Sequence, residues 1–213
     1  MVITRIRKVK SGDRFAIDLD SVYGFSVQQN TLIQESLFVG LELSQQEVDR
    51  IIAGDLKHYL IEKALLQIAS RPRSGSELGR YLSTKADKWR GANNKEQILK
   101  EVTAYLMEKG YINDDDFTEW WIDNRKAFKT KSKSELRLEL RQKGIDTEII
   151  EKYLEKMVSD QGQLENLAAL IAKKANYFKM RTSAPQEARA KMTQFLLRKG
   201  YSWELIKQAL SNI

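Results

Sequence analysis

The feature that most limits this chain is a recurring pair of helix punctuation marks. Ser74…Glu77, Ser132…Glu135 and Ser183…Gln186 are spaced as capping boxes. In such a box the serine hydroxyl accepts from an amide three residues on, and the longer side chain reaches back to the serine's own N–H. The helices that follow close at Lys85-Ala86, Lys143-Gly144 and Lys199-Gly200, ends that are 58 and 56 residues apart. Before each box runs a helical apolar stripe: Leu60, Ala64, Leu65, Ile68; then Phe117, Trp121, Phe128; then Leu164, Leu167, Ile171. After each helix end comes another: Ile98, Val102, Tyr105, Leu106; then Ile150, Tyr153, Leu154, Met157; then Ile206, Ala209, Leu210. Apolar residues at that spacing mark amphipathic helices. The pattern predicts a mainly α chain with three tandem three-helix repeats, at residues 57–110, 111–159 and 160–213. Repeats this small share a core with their neighbours, which predicts an elongated array.

Residues 1–56 have a different texture. Ile3, Arg5 and Arg7 alternate with Thr4, Ile6 and Lys8, and Phe15, Ile17 and Leu19 alternate with polar neighbours. Both stretches read as strands, with Ser11-Gly12-Asp13 as the turn between them. Phe25 and Val27 predict a third strand and Leu37 to Leu43 a short fourth. Ser44-Gln45-Gln46-Glu47 is a further capping box, opening a short helix through Val48, Ile51 and Ile52. This is a small β-rich unit. An extra loop, Asp87 to Asn94, separates the second and third helices of the first repeat.

Composition removes several chemistries. The 213 residues contain no cysteine and one histidine, His58, so a thiolate nucleophile, a disulfide and a histidine-built metal centre are excluded. Asp114-Asp115-Asp116 lacks the glycine-bearing loop and distal glutamate of a Ca²⁺ site and reads as a helix N-terminus, where carboxylates suit the dipole. No phosphate loop, dinucleotide fingerprint or nucleophile–base arrangement is present, so the sequence predicts neither an enzyme nor a cofactor. No apolar run spans a bilayer and the N-terminus lacks a signal-peptide core, which with the absence of cysteine predicts a cytoplasmic protein without membrane contact; a monomer is the expected state.

Charge is where a binding role is written. The net charge is +7. Residues 125–145 carry eight basic and two acidic residues and residues 171–200 carry eight and one, whereas 101–124 hold seven acidic and one basic. Lys133, Arg137 and Arg141 stand four residues apart, one above the other on a helix face, at a small repulsive cost. A solvated helix face is one explanation and a binding surface the other. Recurrence favours the second: Arg71 and Arg73 precede the first box, Arg125, Lys129 and Lys131 the second, and Lys173, Lys174, Lys179 and Arg181 the third. These twelve form the candidate surface. Trp120 and Trp121 read as core rings on an amphipathic helix, with base stacking the alternative.

The stretch Lys109 to Ile145 carries a resemblance. Tyr111-Ile112-Asn113-Asp114, Phe117, Arg125, Glu135-Leu136 and Arg141-Gln142-Lys143-Gly144-Ile145 resemble the RecX family of recombinase regulators. Arg71-Pro72-Arg73-Ser74 with Glu77-Leu78, and Leu196-Leu197-Arg198-Lys199-Gly200-Tyr201, extend the likeness over residues 57–213. The resemblance implies a protein that binds the RecA recombinase filament along its groove and inhibits strand exchange, ATP hydrolysis and co-protease activity. It also implies weak binding of single- or double-stranded DNA. Stand-alone nucleic-acid binding is the alternative that the charge alone would support.

Overall fold

The computed structural model describes residues 1–9, 13–89, 91–126, 131–179 and 184–211. They separate into two compact units, residues 1–112 and 113–213.

In the first unit, β1 (Ile3–Lys8), β2 (Arg14–Leu19) and β3 (Val22–Gln28) form an antiparallel sheet in chain order. Asp20 and Ser21 join β2 to β3, both with positive φ (47° and 69°). That is the backbone a two-residue hairpin requires, because its twist matches that of the strands. Ser11 and Gly12 of the predicted β1–β2 turn lie outside the described residues. The predicted fourth strand does not form: residues 37–43 hold a turn and a single bridge between Val2 and Glu42, with the Ile3 amide donating to Leu41 O at 2.9 Å and the Gly40 amide to Ile3 O at 2.8 Å. A short helix that the sequence pattern does not signal, α1 (Gln29–Gln34), follows β3 directly.

The helix predicted at Ser44 does not stop where the β-rich unit was expected to end. It runs on as α2 (Gln45–Ser70), 26 residues opened by the predicted Ser44–Glu47 box. Nothing between Ile52 and Leu60 breaks the period, so one helix serves both halves of the unit. Its N-terminal half (Val48, Ile51, Ile52) packs on Ile3, Ile17, Leu19, Phe25 and Val27 of the sheet. Its C-terminal half (Leu56, Leu60, Ala64) packs on α3 (Gly75–Asp87) and α4 (Lys95–Glu108) through Leu78, Leu82, Ile98, Val102 and Leu106. The extra loop joins these cores: Trp89 and Ala92 pack against both, and the Trp89 ring lies 4.8 Å from that of Tyr59.

A buried carboxylate ties the unit together. Asp55, fully buried on α2, accepts from the Arg14 guanidinium (3.1 Å), the Gln28 amide (2.9 Å) and the Thr31 hydroxyl (2.6 Å). Arg14 in turn lies 4.2 Å over the Trp89 ring. A buried ion is tolerated only when such partners replace its water.

The second unit contains two three-helix groups. The first comprises α5 (Asp114–Lys126), α6 (Lys133–Gln142) and α7 (Thr147–Met157), packed around Phe117, Ile122, Leu136, Leu140, Ile150 and Leu154. The second comprises α8 (Asp160–Lys179), α9 (Pro185–Arg198) and α10 (Trp203–Ser211), around Leu167, Leu170, Ile171, Met192, Leu196 and Ile206. Phe128 lies outside the described residues.

The predicted boxes at Ser74 and Ser132 cap α3 and α6, with Ser132 and Glu135 bonded reciprocally. The third differs: α9 is capped by Ala184, which has no side-chain acceptor, with Pro185 opening the helix, while Ser183 lies outside the described residues. Proline makes that start possible because its missing N–H is one the first turn leaves unpaired. Lys143-Gly144 and Lys199-Gly200 end their helices as expected, Gly144 and Gly200 having φ of 77° and 80°. The first end is two residues later than predicted: α3 continues through the buried Ala86 to Asp87 and stops without glycine.

Candidate partner-binding surface

The basic row on α6 is seated by the leucines beneath it. Leu136 and Leu140 face the core, so Lys133 and Arg137 lean across the helix edge and Arg141 stands in solvent. Arg137 forms a two-pronged ion pair with Glu151 of α7, at 2.5 Å and 2.7 Å. The Arg137 guanidinium holds the Glu151 carboxyl below its ordinary value. Lys133 lies 3.4 Å from Asp160 at the start of α8. Arg141 has no ion-pair partner among the described residues. The three members of the row are thus together on one helix but unequal in available charge.

The cations before the helix gather around Glu139. That carboxylate accepts from the Trp121 indole N–H (3.0 Å) and the Arg125 Nε (2.9 Å), and its other oxygen lies 2.8 Å from the Lys131 ammonium. Burial pushes the Glu139 carboxyl up, but Lys131, Trp121 and Arg125 together outweigh it and leave the group below its usual range. Arg125 and Lys143 both lie over the Trp121 ring, 4.3 Å and 5.0 Å from its centre. Trp121 therefore has its face covered by cations, an arrangement that attracts by the ring quadrupole. It is neither a bare stacking platform nor a fully buried core ring.

The basic residues before the first two boxes have a local structural cause. In the first unit Glu77, the last residue of the Ser74 box, pairs with both Arg71 (2.5 Å) and Arg73 (3.3 Å). In the second, Glu135 of the Ser132 box is met by Lys131 (4.0 Å) and Lys199 (3.0 Å). A carboxylate placed at the third position of a helix to complete a cap also attracts the cations that precede it. Those partners do not show in a count of charge along the chain, although the glutamate of each of these two boxes is the available signal. Glu151 and Asp160 carried no such signal, since only the packing of α7 and α8 brings them to α6.

In the last group Lys173 is exposed, without an ion-pair partner among the described residues, and Lys174 is half-buried. Lys129, Arg181 and the side chain of Lys179 lie outside the described residues. Asp114, Asp115 and Asp116 open α5 as predicted, with the Asn113 side chain accepting from the amides of Asp115 (2.9 Å) and Asp116 (3.3 Å). Asp115 also pairs with Lys152 of α7 at 2.7 Å. His58 is exposed on α2. No helix among the described residues is long and apolar enough to cross a membrane.

Successive three-helix groups, each packed around its own apolar cluster, define a helical-repeat protein. Residues 113–154 match the second three-helix domain of RecX and residues 161–210 the third. Regulatory protein RecX of Bacillus pumilus is 32% identical over 209 residues, covering 98% of this chain and 76% of its own. That of Listeria welshimeri is 31% identical over 213 residues, covering 98% and 74%. A crystal structure of regulatory protein RecX shares the fold with a TM-score of 0.70 at 23% identity, covering 99% of this chain and 98% of that one. RecX from Lactobacillus salivarius gives 0.64 at 23%, covering 75% and 97%. The chain belongs to the RecX family of regulatory proteins.

Proposed function

We propose that this protein binds the RecA-type recombinase filament and inhibits its strand exchange, ATP hydrolysis and co-protease activity. The observation that carries this reading is the family relationship, which runs through 98% of the chain at 32% identity. The surface supports it: the described cations lie on helices and helix-entry turns, where they can dock without any reacting group. Inhibition by occupation of a groove or a growing end needs no chemistry. Several weak contacts along one chain gain from effective concentration once the first is made.

Among the described members of that surface, Arg141 and Lys173 are exposed without an ion pair, whereas Arg71 and Arg73 share Glu77 and Arg125 and Lys131 share Glu139. The decisive measurement is RecA-type ATPase on single-stranded DNA titrated with this protein. Inhibition at substoichiometric ratios is expected; an unchanged rate at micromolar protein rejects the reading. Changing Lys133, Arg137 and Arg141 together to Glu is expected to abolish inhibition with helical circular dichroism intact. Retained inhibition would place the contact on other elements.

The excess positive charge of residues 171–200 favours a second reading, direct nucleic-acid binding. It predicts tight DNA binding without recombinase, with log K falling by about 0.9 per phosphate contact for each log unit of salt.

A further inference from the structure

The start of α6 receives more than its own cap. The Ser132 hydroxyl, already accepting from the Glu135 amide at 3.0 Å, donates to the carbonyl of Lys199 at 2.6 Å, the residue that ends α9. The Lys199 ammonium reaches Glu135 at 3.0 Å. From α8, the side chain of Gln163 accepts from the Lys133 amide at 2.9 Å and donates to the Lys131 carbonyl at 3.3 Å. Ser132 is 0% and Gln163 2% exposed, so these are buried contacts. Gly200 closes the arrangement: a Cβ there would lie 2.6 Å from Ser134 Cβ and 3.1 Å from Ser132 Oγ.

Helix ends leave amides and carbonyls that need partners, and a buried one left unmatched is costly. Here an amide from the start of one helix and a carbonyl from the end of another are each satisfied by the neighbouring group. We propose that the first turn of α6 is a socket for the last three-helix group, and that Gln163 and Gly200 are positioning residues that hold the cations of α6 and of α8–α9 at a fixed spacing. The socket itself stands on the contacts alone. Its consequence for activity rests on the filament-binding reading.

Three measurements on the full chain test it. The Lys133 amide is the first of α6 and has no acceptor within its own helix, so Gln163 is its source of protection from hydrogen exchange. Slow exchange in the native protein, lost in Gln163→Leu, is expected; exchange at the rate of an open amide in the native protein overturns the socket without requiring any variant to fold. The second is a double-mutant cycle. Gly200→Ala meets Ser134, whereas Gly110→Ala, at a left-handed position (φ 70°) with nothing within 4 Å, gives the backbone effect alone. The urea midpoint is expected to fall further for Gly200→Ala than for Gly110→Ala, and Ser134→Gly to restore part of the difference. Coupling of roughly threefold or more in the folding constant is typical of residues in contact, and strict additivity of the two changes overturns the socket.

The third measurement separates the socket from the functional reading. Gly200→Ala is expected to weaken ATPase inhibition and Gly200→Ala with Ser134→Gly to recover it. Coupling in the cycle with inhibition unchanged in Gly200→Ala overturns the positioning role while leaving the socket. No inhibition even by the native protein overturns the filament reading, and with it the positioning role.

Discussion

The two units differ in how deeply they bury a carboxylate. In residues 1–112, one carboxylate, Asp55, is fully buried and holds together a strand, a strand–helix junction and α2 through three donors. In residues 113–213, the ion pairs sit at helix edges: the Arg137 and Glu151 side chains keep 31% and 39% of their exposure. The chemistry of the pairs is the same and the surroundings differ. Where water is absent, removing one partner strands the others; where water is present, it takes the missing partner's place. A buried pair therefore acts as a structural joint, and an edge pair leaves its cation free to exchange an internal carboxylate for an external one.

Several changes can break or sharpen that contrast. Asp55→Ala is expected to cost about 3–5 kcal/mol, because Arg14, Thr31 and the Gln28 amide lose their shared acceptor; chemical denaturation gives the value. A loss below one kcal/mol would mean that water already reaches the site. Ser132→Ala, which removes a cap and a contact to Lys199 together, is expected to cost about 0.5–2 kcal/mol by the same measurement. Arg137→Ala is expected to cost no more than about 1 kcal/mol, since its pair with Glu151 is partly exposed. An effect as large as that of Asp55→Ala would erase the distinction between the units.

Acid should act through the edge pairs. Hydrogen bonding to Lys152 holds the Asp115 carboxyl below its ordinary value, and Arg137 does the same for Glu151. A carboxylate depressed in the folded state stabilises it above its unfolded value, about 4. That contribution is lost as pH falls through the lower folded value. The urea midpoint is expected to hold from pH 7 to about 5 and to fall below about pH 4. A midpoint that rises on acidification would contradict the assignment of these pairs.

Much of this fold can be read along the chain, because its signals are local. A serine three residues before a glutamate and a glycine after the last helical turn act on neighbouring backbone groups, so α6 is delimited at both ends by the residues that flank it. The third box shows where locality runs out. Ser183…Gln186 has the same spacing, yet Ala184 and Pro185 begin the helix. The candidate surface was legible as charge but not as partnership. The cations before α3 and α6 were visible, and so were Glu77 and Glu135, but Glu151 and Asp160 reach α6 only through the packing of three helices. Asp55 was silent, a single acidic residue among the apolar positions of a helix.

The sequence by itself determined that this chain is a helical-repeat member of the RecX family with a β-rich start, because capping, apolar period and family residues are properties of short segments. Tertiary structure alone decided that the two halves of α2 serve two cores, the sheet's and that of the first helical group, and that Asp55 is buried as its joint. It also decided which cations carry an internal counter-charge and which, like Arg141 and Lys173, stand in solvent. The physical reason is range: a cap acts over three residues, whereas a charge pairs with whatever the fold brings within a few ångströms.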